Sequence, residues 1–392
     1  MSKRAGKLSF IVCGGGMIGL SVALGLRQQG HQVQLIERGQ QPELSSEFGA
    51  RVSAIAHSSR ALLQQLGVWQ KLPAERLGPY TGMQVWEHDS FARIDFNAHE
   101  VTRTDLGAIV ENQLLEHYLW QAAAEAGVTI HSGVTSVAEQ ISDDQVSITL
   151  STKLGNKQQL SADYIIAADG ANSQVRQRAQ LPLTFWHYQQ HAIVATVHTE
   201  LPHQGIARQA FTPTGPIAWL PLADSQQISL VWSIDDPHSE HLLTLSAERF
   251  TQRLQSFSNN SLGQLTLASE RHRFALKMQY CQRWLQQRLL VIGDAAHSIH
   301  PLAGQGANLG FADVSQLLDV FAEPREDYHR TLRQWERERK TAAMTMIAAM
   351  EGFKRGFAGD NPLLKLLRGS GLHIASRVAP LKQQLMQIAL GG

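Results

Sequence analysis

Only two cysteines occur in the 392 residues, Cys13 and Cys281, far apart and without the short spacing of a metal-binding pair. That scarcity argues against a disulfide-stapled scaffold and against a thiolate metal centre, and two reduced, buried thiols are expected. A formal net charge of +1 removes any global electrostatic reason to expect a nucleic-acid partner. No uninterrupted apolar run reaches the roughly 18 residues that a transmembrane helix needs, so none is expected. Internal repeats and low-complexity linkers are lacking too. What remains is 43% apolar and 18% charged, which excludes a disordered chain. The length suffices for a large core divided over two domains. At the N-terminus, Lys3, Arg4 and Lys7 before the apolar stretch Leu8–Leu26 imitate a secretory signal. That stretch contains a glycine fingerprint that cleavage would destroy, and a cytoplasmic location is expected.

The fingerprint is Gly14-Gly15-Gly16-Met17-Ile18-Gly19. It follows the strand-like run Leu8–Cys13 and opens a helix-like run ending near Gly30. A second strand-like run, Val33–Ile36, ends in Glu37, 18 residues beyond Gly19. This βαβ context is what dinucleotide binding requires. Gly14 allows the tight turn, Gly16 lets a pyrophosphate approach the backbone, and Gly19 lets helix and strand pack closely. The helix N-terminus offers free N–H groups and a partial positive charge to phosphates, and Glu37 can accept from ribose hydroxyls. The fingerprint alone leaves FAD and NAD unseparated. Two further segments each place a carboxylate beside glycine at the end of an apolar strand: Asp169-Gly170 after Tyr164–Ala168, and Gly293-Asp294 after Leu289–Ile292. Ligands of open α/β sheets gather at such strand ends.

These three motifs, in this order, resemble the FAD-dependent aromatic hydroxylases, the p-hydroxybenzoate hydroxylase-like flavoprotein monooxygenases, over about residues 7–340. The stretch Gly293–Gly310 is similar to the ubiquinone-biosynthesis hydroxylases, nearest the demethoxyubiquinol hydroxylase (UbiF-like) branch. So are Arg51–Ile55, Val110-Glu111-Asn112, Phe211–Pro216 leading to Leu220-Pro221-Leu222, and the C-terminal Leu381–Gly391. The resemblance implies an FAD-binding Rossmann-like domain of the glutathione-reductase type, interleaved with a β-sheet substrate domain and followed by C-terminal helices. The expected division is 1–75, 106–180 and 282–350 for FAD binding, 76–105 and 181–281 for the substrate domain, and 351–392 for a helical tail.

Strands are expected at 51–55, 83–88, 93–96, 128–131, 134–137 and 146–150, with a helix near Ser58 capped by its hydroxyl and another from Asn112 to Ala126 capped by Asn112. From Pro182 to Cys281 the texture is β-rich, with strands at 191–197, 217–222 and 228–233. These should roof a substrate cavity that Trp186, Tyr188, Phe211, Trp219 and Trp232 are candidates to line, although ordinary core packing is the preferred reading of each.

The resemblance implies a flavin that takes a hydride, reacts with dioxygen at C4a to give a hydroperoxide, and hydroxylates an electron-rich ring. NADPH or NADH is the implied donor and dioxygen the co-substrate. The cofactor carries this chemistry, while protein must position the ring and exclude water. Asp294 is the candidate ribityl or pyrophosphate anchor. The 301–308 loop, with Pro301, Gly304, Gly306, Ala307 and Asn308, can lay N–H groups against the flavin's N1–O2 edge. By resemblance Arg51 and Gln113 also contact FAD and Asp169 supports the site; Met17, Ile18, Arg38, Val134 and Gly170 complete the candidate contacts. Many relatives carry an acidic residue two positions before the matching arginine, where Gly49 stands here. For Asp169 and Asp294 the structural alternative is a helix-capping carboxylate. Gly304–Gly310 is not a second dinucleotide fingerprint, since no strand leads into it, and no separate nicotinamide domain is visible. His297 and His300 lack a third ligand, so no metal is expected, and His297 reads as a packing or hydrogen-bonding residue. His187 and Tyr188 are the candidate bases for a phenolic substrate.

Residues 352–392 carry Lys354, Arg355, Lys365, Arg368, Arg377 and Lys382 against Asp360 alone, a balance of 6 − 1 = +5, among many leucines. Such helices can meet an anionic membrane's inner face or another ubiquinone-biosynthesis protein, or pack on their own domain with the basic face solvated. The expected activity is hydroxylation of a lipid-tailed phenol or quinol in ubiquinone biosynthesis. A flavin reductase on the same scaffold and a non-catalytic FAD-bound assembly or lipid-carrier subunit are the alternatives. A halogenase should show a Trp-x-Trp-x-Ile-Pro segment, which is missing.

Overall fold

The computed structural model describes residues 7–45, 48–90, 93–152, 155–299 and 305–357. The basic tail beyond 357, Pro301 and Gly304 lie outside these described residues. The first βαβ unit runs β1 (Ser9–Cys13), α1 (Met17–Gln28) and β2 (Gln32–Glu37), followed by β3 (Val52–Ile55) and α2 (His57–Gln65). Next come β4 (Gly78–Tyr80), β5 (Gly82–Glu87), β6 (Arg93–Asn97) and β7 (Gly107–Glu111), then α3 (Asn112–Glu125) and β8 (Thr129–Ser132). The hairpin strands β9 (Val134–Ile141), β10 (Val146–Thr152) and β11 (Lys157–Ala162) lead to β12 (Tyr164–Ala167) and the short α4 (Gln174–Arg178).

A long strand, β13 (Leu183–Thr199), starts the second half, with β14 (Ile206–Thr212), β15 (Gly215–Pro221) and β16 (Gln227–Asp235). Helices α5 (Asp236–Thr244) and α6 (Ala247–Ser256) interrupt the β-rich region, a departure from the expected texture. Strands β17 (Leu265–Leu267) and β18 (His272–Cys281) follow them. The chain then passes through β19 (Leu285–Gln286), β20 (Leu289–Val291) and β21 (His297–Ser298) into α7 (Gln305–Phe321) and α8 (Tyr328–Phe357).

Sequence-distant strands build the first sheet in the order β19-β20-β12-β1-β2-β8, parallel from β20 to β8. Parallel strands covered on both faces should read as continuous apolar runs, and β12 and β20 are buried at every position. α1 buries Leu20, Val22, Leu24 and Leu26 against this layer. A second sheet, β21-β18-β13-β16-β15-β14-β5-β6, uses strands from two separate stretches of chain. Its side chains alternate between two faces. Trp219 and Trp232 point to the face covered by α6, with Phe250 and Leu254, and Trp86 stacks on Trp219 at 5.6 Å. Both tryptophans are therefore core residues, not cavity lining. Their neighbours Ala218 and Val231 take the opposite face, with Ala192, Val194, Leu276 and Phe211. Trp186 is 38% exposed.

Both expected helix caps are corrected. Ser58 lies inside α2, whose N-cap is Ala56. Asn112 is the first residue of α3 rather than its cap, and its Oδ1 accepts the Ser53 hydroxyl at 2.7 Å, tying α3 to β3. For Asn112 a tertiary partner takes the polar group that a local cap would have used.

Candidate functional site

The glycine fingerprint and the two glycine–carboxylate segments meet at the C-terminal end of the parallel sheet. Gly14 adopts φ +108°, and a Cβ there would lie 2.3 Å from the Ala168 carbonyl oxygen, so the first and second motifs touch through backbone. Ile18 fills the space beside Gly293 and Gly310, where an added Cβ would meet its side chain at 3.1 and 2.8 Å. That contact joins the first motif to the third. Arg176, buried in α4, donates to Ala171 O at 2.9 Å and to Ala295 O at 2.7 Å, binding the second motif to the third. Gln279 of β18 adds a bond to Ala171 O at 2.5 Å and one to Asp294 O at 3.3 Å, so the second sheet is fastened to the same corner.

At the fingerprint, each glycine answers to a different constraint. Gly19 has no room for a side chain, because its Cβ would fall 2.0 Å from Gly14 O. Gly16 is different: its nearest neighbour would be Glu116 Oε1 at 3.7 Å, an ordinary contact, and it lacks the left-handed φ of Gly14. Protein packing therefore does not demand glycine at 16, whereas a diphosphate approaching the helix backbone would. Glu37 closes the end of β2. Its Oε2 accepts from Gly15 N–H at 2.5 Å and its Oε1 from Gly39 N–H at 2.6 Å. Met17 and Ile18 are half-buried at the start of α1, Arg38 is exposed beside Glu37, and Val134 is half-buried at the start of β9.

Asp294 sits in a 3-10 turn between buried Gly293 and Ala295, with its own side chain accessible. Crowded surroundings hold its carboxyl above the ordinary carboxylate range, against the opposing pull of His297 and Arg51. Gly293 needs its glycine, since it adopts φ +58°. Beneath the turn lies a cluster that sequence reasoning missed. Asp313 of α7 is wholly buried; its Oδ2 accepts from Gly293 N–H at 3.0 Å and meets His297 Nε2 at 2.7 Å, while its Oδ1 accepts from Arg339 Nε at 2.8 Å. Burial alone would raise the Asp313 carboxyl, but His297 and Arg339 outweigh it and hold the group below its usual range. His297 is thus a hydrogen-bonding residue of the turn. Among the described residues no cluster of metal-binding side chains occurs.

Arg51 is exposed at the entrance to β3, its guanidinium 5.5 Å from the Phe274 ring and its charge felt by both Asp294 and Glu116. Two positions before Arg51, Gly49 donates to Glu111 Oε2 at 2.5 Å. Glu111, 2% exposed, is itself bridged to Arg76 at 2.8 and 2.6 Å. A carboxylate from β7 thus holds the loop before Arg51, a contact invisible without the β3–β7 pairing.

Several other candidates also make bonds within the protein. Asn308 spends its amide on the fold: Oδ1 accepts from Ala56 N–H at 3.0 Å and Ser59 Oγ at 2.8 Å, and Nδ2 donates to Ala54 O at 2.8 Å. Asp169 shows the helix-capping alternative, its Oδ2 accepting from Gln174 N–H at 2.8 Å and Val175 N–H at 3.3 Å. Gln113 is exposed and donates to Glu43 O at 2.7 Å. Gly170 adopts φ +82°, and Gly306 and Ala307 are half-buried in the first turn of α7. His187 and Tyr188 belong to β13 next to a register shift against β18, and their side chains lie outside what the structure describes.

An FAD fits these residues: a cradle open at Gly16, a carboxylate closing β2 at Glu37, a cation at Arg51, and an accessible Asp294 over a rigid base. The chain matches, over residues 7–350, a family model described as an FAD binding domain. It is 36% identical over 389 residues to the 3-demethoxyubiquinol 3-hydroxylase of Escherichia coli (strain K12), covering 97% of each chain. It is 33% identical over 437 residues to the mitochondrial ubiquinone biosynthesis monooxygenase COQ6 of Danio rerio, covering 97% of this chain and 89% of that one. Among solved structures, the p-nitrophenol 4-monooxygenase PnpA of Pseudomonas putida DLL-E4 shares the fold, with a TM-score of 0.79 at 16% identity over 99% of both chains. Three converging motifs, the open cradle and these relatives lead to one conclusion: the chain belongs to the FAD-binding monooxygenase family that contains the ubiquinone-biosynthesis hydroxylases.

Proposed function

We propose that this chain hydroxylates the ring of a polyprenylated phenol or benzoquinol in ubiquinone biosynthesis, with FAD as cofactor, NADPH or NADH as donor and dioxygen as co-substrate. The observation that supports this best is an apolar sheet face set against the cofactor corner. Ala192, Val194, Leu276 and Val231 pack with Ala50, next to Arg51, and Phe211 packs with Met346 and Met350 of α8. FAD, when bound and reduced, would activate dioxygen for electrophilic transfer to the ring, chemistry that no side chain can supply.

The chain's own groups bind and orient. Gly14, Gly16 and Gly19 shape the diphosphate cradle, Met17 and Ile18 present its N–H groups, and Glu37 takes the ribose, with Arg38, Val134 and Gly170 beside the adenosine half. Arg51, Gln113, Gly293 and Asp294 hold the ribityl side, and Asp169 acts through the α4 turn. Pro301 and Gly304, together with Gly306, Ala307 and Asn308, which belong to the first turn of α7 and not to the loop the sequence suggested, are assigned to the flavin edge. His187, Tyr188 and Pro301 remain the proposed residues nearest the reacting ring. Residues 1–75, 106–180 and 282–350 are read as the FAD-binding body, with 76–105 and 181–281 as the substrate sheet. No helix among the described residues is long and apolar enough to cross a membrane. Contact with an anionic membrane or a partner enzyme is assigned to the basic residues 352–392 by their composition.

Mass spectrometry of quinone intermediates in cells lacking the protein tests the reading. Accumulation of a polyprenylated ring short of one oxygen, reversed by the wild-type chain and not by Asp294→Ala, is expected. An unchanged intermediate profile would overturn it, and full rescue by a variant that cannot hold FAD would favour the non-catalytic subunit.

A further inference from the structure

The site description leaves one acidic side chain unused, and it stands where the cofactor's most negative part must go. Glu116 is on α3, one turn beyond Gln113, and its carboxylate faces the first turn of α1 from outside that helix. Its Oε1 is the nearest atom to the position a Gly16 Cβ would take, at 3.7 Å. The α1 helix has no side-chain cap of its own at Gly16 and no acidic residue in its first turn. Glu116 therefore supplies, from a neighbouring helix, the negative charge that an uncapped N-terminus attracts. A dinucleotide's diphosphate is drawn to the same N–H groups for the same reason.

Resting on the reading that this cradle takes the FAD diphosphate, we propose that Glu116 is a further residue of the cofactor site whose charge opposes cofactor uptake. FAD binding is then coupled to the gain of one proton by Glu116. The surroundings bear on the direction. From β2, Glu37 adds a like charge; from the lead into β3, Arg51 opposes it; from α1, the Met17 N–H lies against it. On α3 itself, Gln113 and His117 are turned away, to Glu43 O and Pro42 O. Burial already holds the Glu116 carboxyl above its usual range, with Arg51 pulling it down and Glu37 raising it further. An arriving diphosphate adds negative charge and competes for Arg51, so it must raise the group again. A group whose bound-state pKa exceeds its free-state pKa favours binding in acid. Affinity should be highest below the free-state value and fall as pH rises towards the bound-state value, by at most about tenfold per pH unit for one proton.

The experiment titrates apoprotein with FAD by flavin fluorescence at a series of pH values, for wild type, Glu116→Gln and the α3 surface control Glu125→Gln. Proton uptake on mixing is followed in weak buffer with an indicator dye. Wild type and the Glu125 variant should lose about tenfold or more in affinity from acid to alkaline pH and take up a proton. The Glu116→Gln protein should bind more tightly at alkaline pH, with a flatter profile and less uptake. Glu116→Ala, which keeps no hydrogen bond to α1, should show the same flattening if the charge is what matters. Equal affinities and pH profiles for all four proteins would overturn the role of Glu116 and leave the FAD site standing. Failure of folded wild-type protein to bind FAD at any pH would instead remove the reading on which the role rests.

Discussion

Asp313→Asn offers a sharp test of how the flavin-side turn is held. The wild-type carboxylate uses both oxygens as acceptors: Oδ1 for Arg339 Nε, Oδ2 for Gly293 N–H and His297 Nε2. Asparagine has the same shape but only one acceptor oxygen. Whichever way its amide turns, an NH2 group faces a donor. Arg339, with its side chain 5% exposed, loses its charge partner in either case. Breaking a buried ion pair from one side typically costs about 3–5 kcal/mol, and that loss is expected in urea denaturation followed by tryptophan fluorescence.

The pH dependence has a definite sign. Because the folded Asp313 carboxyl lies below its unfolded value, its contribution is complete above that unfolded value, about 3.9, and is lost as pH falls through the folded one. The asparagine variant should lack this part of the acid-side loss. Adding Arg339→Met should recover part of the destabilisation, since the second change removes the stranded guanidinium. A variant within about 1 kcal/mol of wild type, or a double variant whose cost is the simple sum of the two, would refute the coupling.

Other consequences are simpler. Gly14→Ala should fail to fold or aggregate on expression, because its φ of +108° and a carbonyl 2.3 Å from the new Cβ leave it no place. Gly16→Ala should keep wild-type stability in denaturation yet bind FAD at least about tenfold more weakly in titration, the added methyl making only an ordinary contact with Glu116 but intruding on the ligand. Arg51→Met should lower FAD affinity by about five- to twentyfold with little change in stability, as expected for an exposed cation whose partner is the cofactor. Wild-type affinity in that variant would place the arginine outside the site.

How far the sequence could be read depended on the range of the constraint. The βαβ unit was legible because its signals are local: an apolar run, a left-handed glycine, a helix start and a terminal acid lie within residues 8–37. Helix caps were misread at Ser58 and Asn112 for the opposite reason. A serine or asparagine before a helical run is a fair cap signal, but Ser58 falls inside α2, whose N-cap Ala56 gives its N–H to Asn308 Oδ1, and Ser53 came from elsewhere to engage Asn112. Trp219 and Trp232 shared one texture with their neighbours on the opposite face until strand register assigned each side chain a face.

The amino-acid sequence by itself determined that two strand ends carry Asp-Gly and Gly-Asp corners and that the glycine fingerprint after the first strand suits a diphosphate. Backbone conformation and strand burial impose those choices within a few residues. Only the tertiary structure decided which groups support the corners. Asp313, Arg339, Arg176, Glu111 and Glu116 sit in helices or strands where any polar residue would satisfy the local pattern. Their roles arise when burial removes water and each charge must find its partner across the fold.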